Sequence, residues 1–340
     1  MKIFVTGGTG YIGSHTVVEL QKNGYDVIIA DNLVNSSLEV LDGIEKITGI
    51  RPEFEEIDLT DGEVTRDFFA RHSDIRAVIH FAALKAVGES VSKPLEYYFN
   101  NLNSLMNVLT CMREFKVPNL VFSSSWTVYG QADVLPVTEK TPRHEAESPY
   151  GNTKVMSEDI IRDLMRVEPD MKALALRYFN PIGAHPTAFI GELPNGVPNN
   201  LIPYLTQTAI GIREQLSVFG DDYNTPDGSP LRDYIDVVDL AQAHVVAIRR
   251  LLDGKNKKNY EFFNIGTGKA LSVLEIIHAF ERATGVKVNY KVVGRRAGDI
   301  EKVWADTTLA NNELGWKAVT PIEETLANAW KWQKSLEATN

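Results

Sequence analysis

Residues 2 to 13 read Lys2-Ile-Phe-Val-Thr6-Gly7-Gly8-Thr9-Gly10-Tyr11-Ile12-Gly13: a short apolar strand that runs into a glycine-rich turn and then an amphipathic helix. Few folds accept that joint. Gly7 and Gly10 let the backbone turn tightly and come close to a pyrophosphate, and Gly13 lets the helix pack closely on the strand. The free amides at the start of that helix then face negative charge. A lone GxxGxxG is weak evidence, but at a strand-to-helix junction it specifies a dinucleotide cradle in an α/β protein.

The first half of the chain continues the pattern. Short apolar runs at 3 to 6, 27 to 30, 54 to 57, 77 to 81, 120 to 124 and 174 to 178 alternate with helix-length amphipathic segments at 12 to 22, 61 to 70, 95 to 115 and 152 to 167. Strands buried on both faces and separated by helices predict a doubly wound, Rossmann-type parallel sheet. After Asn180 the character changes: Pro181, Pro186, Pro194, Pro198, Pro203, Pro226 and Pro230 make a stretch that a regular βα repeat would not contain. The expected organisation is a dinucleotide-binding domain over 1–180 and a smaller mixed α/β substrate region over 181–340. An amphipathic helix at 237 to 252 and a strand at 262 to 265 bring roughly 235–265 back to the main domain.

Composition narrows the chemistry. A formal charge of -10 argues against a sequence-independent grip on nucleic acid, which needs clustered Lys and Arg. The seven histidines show no HxH or HxxH spacing and there is no cysteine pair, so no metal site is expected. The single cysteine, Cys111, cannot form an internal disulfide; it is expected to be inert core, and a cytoplasmic, reducing setting fits. No apolar run approaches the roughly 20 residues of a membrane span, and no secretory signal is visible.

Asp31 ends the second strand, where a carboxylate accepts hydrogen bonds from adenosine ribose hydroxyls and repels a 2'-phosphate, favouring NAD over NADP. The competing reading is that Asp31 only starts a turn with Asn32. Asp58, ending the third strand, is placed to meet the adenine amino group, although Asp at a strand end is also common turn chemistry. Tyr150 alone among the tyrosines has a lysine four residues on, Lys154, and the pair follows a strand ending Ser123-Ser124-Ser125. One helical turn puts Tyr150 and Lys154 on one face. A phenol of pKa about 10 is a poor base at neutral pH, but a neighbouring ammonium and a positive nicotinamide ring stabilise its phenolate. Ser125 would bond the reacting hydroxyl and Tyr150 would exchange its proton.

These runs carry a resemblance. TGGTGYIGSH at 6 to 15, HFAALKAVGESVSKPLEYY at 80 to 98, FSSSWTVYG at 122 to 130, SPYGNTK at 148 to 154, RYFNPIGAHP at 177 to 186, PNN at 198 to 200 and RDYI at 232 to 235 resemble the extended short-chain dehydrogenases. Within them the likeness is to the 4-epimerases of UDP-sugars, over essentially the whole length. The resemblance implies interconversion of UDP-galactose and UDP-glucose without net redox: oxidation at C4 by tightly held NAD, rotation of the keto sugar, and return of the hydride to its other face. It implies cofactor contacts from Tyr11, Ile12, Asn32, Asn35, Ser36, Leu59, Phe81, Ala82, Ala83, Lys85, Asn100, Tyr178 and Phe179, beside the residues already named. For the UDP-sugar it implies Arg232 and Arg296 on the diphosphate, Asn180 and Asn200 on sugar and phosphate, Phe219 at the uracil and Asp299 at the ribose. Leu201, Ser217, Tyr234 and Val303 complete that set with Ser125 and Tyr150. It also implies a homodimer built on the helices at 95 to 115 and 150 to 167.

Three positions depart from the pattern. Trp126 follows Ser125 where a small residue is usual; Asp236 replaces a histidine often found after RDYI; and Val303 stands where a tyrosine goes with restriction to glucose and galactose. The last predicts additional turnover of UDP-N-acetylglucosamine and UDP-N-acetylgalactosamine, unless Trp126 refills the space. Rival readings are a 4,6-dehydratase, which needs an Asp-Glu pair where Trp126-Thr127 stand, a 4-epimerase of a UDP-uronate or UDP-pentose, and a non-catalytic NAD-binding redox sensor.

Overall fold

A computed structural model of the chain describes residues 1–296 and 299–337. The first half forms β1 (Lys2–Thr6), α1 (Tyr11–Lys22), β2 (Asp26–Asp31), α2 (Glu39–Thr48), β3 (Glu53–Glu56), α3 (Gly62–Arg71), β4 (Ile75–His80), α4 (Val87–Ser92), α5 (Pro94–Glu114), β5 (Asn119–Ser125), α6 (Pro149–Val167) and β6 (Lys172–Tyr178). The second forms β7 (Asn180–Ile182), α7 (Leu201–Ala209), β8 (Leu216–Phe219), β9 (Leu231–Arg232), β10 (Tyr234–Asp236), α8 (Val237–Leu252), β11 (Tyr260–Ile265), β12 (Leu271–Ser272), α9 (Val273–Thr284), β13 (Tyr290–Val293), β14 (Lys302–Val303) and α10 (Ile322–Glu337).

Seven strands make one parallel sheet in the order β11-β6-β5-β4-β1-β2-β3. Successive side chains of a strand point to opposite faces, and β1 shows the result. Ile3 and Val5 enter a core with Val17 and Leu20 of α1, Ile44 of α2 and Leu240 and Ile248 of α8. Phe4, between them, enters the opposite core with Phe68 and Phe69 of α3, Leu105 and Val108 of α5 and Ile161 of α6. Both faces are covered, so the strands read as continuous apolar runs. The order reverses between β1 and β4, and the crevice at that switch point is where such sheets hold ligands.

The doubly wound class is therefore correct, and β11 pairs with β6 along Tyr260–Ile265. The stretch after Asn180 is more regular than its prolines imply. It contains α7 and the parallel pair β8/β13, and its own core joins Leu205, Leu216, Val218, Ile276, Phe280 and Leu326. The helices α2, α4, α7, α9 and α10 were not expected. Among the described residues no helix is long and apolar enough to cross a membrane, and none group as three or more candidate metal ligands. Cys111 is buried, and burial pushes its thiol up to about 11.

Asp236 finds its reason here. Its Oδ1 accepts from the Val238 and Asp239 amides at 2.8 and 3.4 Å, capping α8, and its Oδ2 accepts from the Thr325 hydroxyl of α10 at 2.8 Å. A buried cap that also ties in a second helix explains an acid at this position. Burial pushes its carboxyl up to about 6, against the opposing pull of these hydrogen bonds. The folded value exceeds the unfolded one, so this contribution to stability is complete below about pH 4 and is lost as pH rises through about 6. Asp236→Asn keeps a capping oxygen without the charge. It is expected to raise stability at pH 8 by on the order of 2 kcal/mol and to change little at pH 4. Thermal melts of both proteins across that range check this, and parallel curves would refute it.

Candidate active site

The glycine-rich turn lies at the switch point. Gly7 has φ +68°, a conformation glycine adopts without strain, and a Cβ on it would stand 2.8 Å from the Ala82 amide nitrogen. A Cβ on Gly13 would stand 2.2 Å from the Gly7 carbonyl oxygen, so α1 begins in contact with the turn. A Cβ on Gly10 would meet only that same carbonyl, at 3.2 Å, which leaves its outer side open. Ala82, in the loop after β4 with Phe81 and Ala83, donates its amide to the Thr6 hydroxyl at 3.2 Å. The Phe81 ring lies 4.7 Å from that of His244, and Ile12 packs partly buried in the core beneath α1.

Asp31 holds this cradle together. Its Oδ2 accepts from the Thr9 amide at 3.3 Å, and its Oδ1 from the Leu33 amide at 2.9 Å and the Ser36 hydroxyl at 3.2 Å. The turn reading of Asp31 is what these bonds show: it starts a turn after β2 and ties that turn to the glycine loop. Asn32 accepts from the Val34 amide at 3.3 Å, and Asn35 is exposed beside it. Asp58 is engaged in turn chemistry, accepting from the Thr60 amide and hydroxyl at 2.9 and 2.8 Å. It also lines, with Asn100, Leu84 and Phe99, an open cleft of about 430 Å³; Leu59 next to it is core. Buried Asn101, which sequence reasoning passed over, accepts from the Leu84 amide and donates to the Leu84 carbonyl and the Thr153 hydroxyl at 2.8, 3.0 and 3.1 Å. It fixes the loop that carries Lys85 against α5 and α6.

β5 delivers Ser125 and α6 delivers Tyr150 and Lys154. Ser148 caps α6 by accepting from the Gly151 amide at 3.1 Å, and Pro149 takes a first-turn position where its missing N–H is no loss. Lys154 is buried, donates to the Ser123 carbonyl at 2.7 Å, and lies 5.8 Å from the centre of the Tyr150 ring. Burial pushes its ammonium down to about 8, while Glu158, one turn further along α6, pulls it up. Desolvation pushes the Tyr150 phenol up to about 12, with the Ser125 hydroxyl pulling it down. Desolvation therefore outweighs the Ser125 hydroxyl at this phenol. Tyr178 bonds the Ser123 hydroxyl, and Phe179 stacks at 6.4 Å on Trp126. Among the described residues, two buried oxygens here, Asn180 Oδ1 and Thr127 Oγ1, have no protein partner.

Behind the trio lies a buried charge network that the sequence did not reveal. Glu158 accepts from Arg177 Nε and Nη2 at 2.9 and 2.5 Å and from the Ser124 hydroxyl at 2.5 Å, and it pairs with Arg143. Burial pushes the Glu158 carboxyl up, but Arg177 outweighs it and holds the acid below its usual range.

On the other wall, Arg232 Nη2 pairs with Asp299 Oδ1 at 2.6 Å, and Arg296 lies 3.5 Å from Asp299 Oδ2 and 5.6 Å from the centre of the half-exposed Phe219 ring. Three segments distant in sequence thus meet. Tyr234 is buried, with its phenol pushed up to about 12 by burial. Ser217 is in β8, opposite Lys291 of β13. Val303 pairs with Arg232 across β14 and β9, and enters a core with Val128, Tyr129, Phe179 and half-buried Trp126. Asn200 precedes Leu201, the first residue of α7, and donates to Glu192 at 2.5 Å.

Known proteins resemble the chain along nearly its whole length. Residues 3–266 match the model of the NAD dependent epimerase/dehydratase family. The chain is 51% identical over 335 residues to UDP-glucose 4-epimerase of Bacillus subtilis, covering 98% of this chain and 97% of that protein. It is 49% identical over 339 residues to the Mus musculus enzyme of that name, covering 98% and 96%. The structure of UDP-glucose-4-epimerase from Stenotrophomonas maltophila with bound NAD and formylated UDP-arabinopyranose superposes with a TM-score of 0.96 at 46% identity, covering 100% of both chains. That of the Bifidobacterium longum enzyme with NAD+ and UDP gives 0.94 at 45% identity, covering 98% of both. A glycine cradle at the switch point, a Ser-Tyr-Lys trio beside it and likeness along nearly the whole length leave one conclusion: the chain belongs to the NAD dependent epimerase/dehydratase family.

Proposed function

We propose that the chain is an NAD-dependent UDP-glucose 4-epimerase, interconverting UDP-galactose and UDP-glucose. The observation that carries the reading is the convergence of Ser125, Tyr150 and Lys154 beside the cradle at Gly7, Gly10 and Gly13, with Arg232, Arg296, Asp299 and Phe219 gathered on the facing wall. The open side at Gly10 and the tight packing at Gly7 and Gly13 fit a pyrophosphate. NAD, when bound, supplies the hydride acceptor and a positive charge. Tyr150 takes the proton of the sugar 4-hydroxyl and later returns it, and Ser125 holds that oxygen. A phenol near pKa 12 must fall by about five units to act as a base at neutral pH, which requires positive charge close by. Lys154, fixed on the Ser123 carbonyl, is one source of it.

Asp31, Asn32, Asn35, Ser36, Asp58, Leu59, Lys85 and Asn100 are assigned to the adenosine and phosphate side of the cofactor, and Tyr178 and Phe179 to its nicotinamide end. Asn180, Asn200, Leu201, Ser217, Tyr234 and Val303 are assigned to the UDP-sugar. The division at residue 180, with 235–265 returning to the first domain, is part of the same reading. So is a reducing cytoplasmic setting, which suits a lone buried thiol.

The purified protein, given UDP-galactose without added cofactor, is expected to yield UDP-glucose; absence of product would sink the reading. A panel adding the N-acetylated pair, a UDP-uronate and a UDP-pentose fixes the range. The small Val303 side chain favours turnover of the acetylated pair, and none at all would show that Trp126, packed in the same core, takes up the room.

A homodimer belongs to this reading too. Phe99 and Met106 of α5 and Met156 of α6 are exposed on adjoining helices, an apolar face of the kind that marks an interface. Phe99→Asp with Met106→Asp is expected to convert a dimer into a monomer in sedimentation, whereas an unchanged mass would remove this face.

A further inference from the structure

Glu192 lies outside every motif described above, yet it meets both halves of the site. Its side chain is only 11% exposed, and one oxygen, Oε1, accepts from Asn200 Nδ2 at 2.5 Å and stands 3.5 Å from Lys85 Nζ. Its carbonyl accepts from the Trp332 indole of α10 at 3.0 Å, which fixes the backbone beneath the carboxylate. Lys85 is confined further: its ammonium lies 5.8 Å from the centre of the Tyr11 ring, whose hydroxyl donates to the Gly183 carbonyl at 2.8 Å. Asn200 stands at the start of α7 with extended backbone, φ -88° and ψ 149°, but its side chain does not cap that helix. It turns to Glu192 instead.

We infer that Glu192 is a positioning residue that links the two ligand sites, by holding a lysine on the dinucleotide side and an asparagine on the nucleotide-sugar side through one carboxylate oxygen. This rests on the assignments of Lys85 and Asn200 made above. An ammonium has three donors and a carboxamide two N–H groups and an oxygen, so each keeps its bond to Glu192 while offering the rest to a ligand. The Lys85 side chain is 55% exposed and free to do so. A ligand that immobilises either end orders the shared carboxylate, and the other end is then ordered at lower entropic cost. Coupling of this kind is reciprocal: NAD tightens the hold on the uridine nucleotide, and the nucleotide slows loss of NAD.

The test uses the full chain purified with its NAD, UDP as the probe, and the variants Glu192→Gln and Glu192→Ala. Glu192→Gln keeps an oxygen for Asn200 and removes the pair with Lys85; Glu192→Ala removes both. NAD release, followed after dilution by separating the free cofactor and assaying it enzymatically, is expected to slow at least about fivefold with saturating UDP in the parent, the lower range of ordinary couplings. That factor should fall in Glu192→Gln and approach one in Glu192→Ala, while UDP titrations show each variant still binding the nucleotide. A parent without the effect, or an effect undiminished in both variants, overturns the inference. If Glu192→Ala fails to fold, the near-isosteric Glu192→Gln decides. A parent that holds neither NAD nor UDP would instead overturn the functional reading beneath it.

Discussion

Tyr150→Phe is expected to lower kcat for UDP-galactose by about 10²- to 10⁴-fold, the usual worth of a positioned acid–base group. The ring stays, so its packing around Lys154 survives and the purified variant should carry as much NAD as the parent. Only the hydroxyl is lost. Initial rates and cofactor content, measured on the same preparation, separate chemistry from binding; near-parental turnover would show that another group moves the proton. The removed phenol stands near pKa 12 in the chain alone, so the activity of the parent should also depend on the positive charge set beside it. Lys154→Met should therefore lose activity with a pH profile displaced upward, since any base that remains titrates higher.

The second large effect lies behind the trio. Arg177→Ala strands Glu158, whose side chain is fully buried, without its bidentate partner. Breaking such a pair from one side costs about 3–5 kcal/mol, because the buried charge is left with Arg143 as its one remaining ion-pair partner among the described residues. The arginine also donates to the Tyr129 hydroxyl at 3.0 Å and lies 4.0 Å from the centre of the Phe262 ring, so its loss leaves a cavity as well. Chemical denaturation should show the full loss, and a change below about 1 kcal/mol would mean that the existing pair with Arg143, with water, is enough to hold Glu158. Because Glu158 also accepts from Ser124, next to Ser125, some loss of kcat should accompany the instability.

What was legible in the sequence follows from how local each signal is. Most strands of the first half announce themselves because burial on two faces leaves continuous apolar runs; the edge strand β3, Glu53–Glu56, is the exception, with one apolar residue among three acids. The trio announces itself because Tyr150 and Lys154 are one helical turn apart. α2 escaped notice, since Gly43 interrupts its pattern and no side chain caps its start. Pro203 disguised α7, yet it sits in that helix's first turn, where a missing N–H is tolerated. Two signals were present but unused. Ser272 and Glu275 form a reciprocal capping box at the start of α9, and Asp236 directly precedes the apolar helix that it caps. Glu158 with Arg177, and Glu192 with Lys85 and Asn200, had no such signature. Their partners lie eight or more residues away, beyond any one-turn spacing, and no short motif marks a pair that only the fold brings together.

The strand order has a consequence for how this molecule is made. β11, the last strand added to the main sheet, pairs with β6 only after the chain has passed through α7, β8 and α8. As the polypeptide emerges from the ribosome, the hydrogen-bonding edge of β6 therefore stays bare until residue 265 has appeared, and unpaired edges recruit foreign strands. A fragment that stops at residue 180 keeps that edge open for good, so the nascent lobe must be shielded or finished quickly to escape clumping.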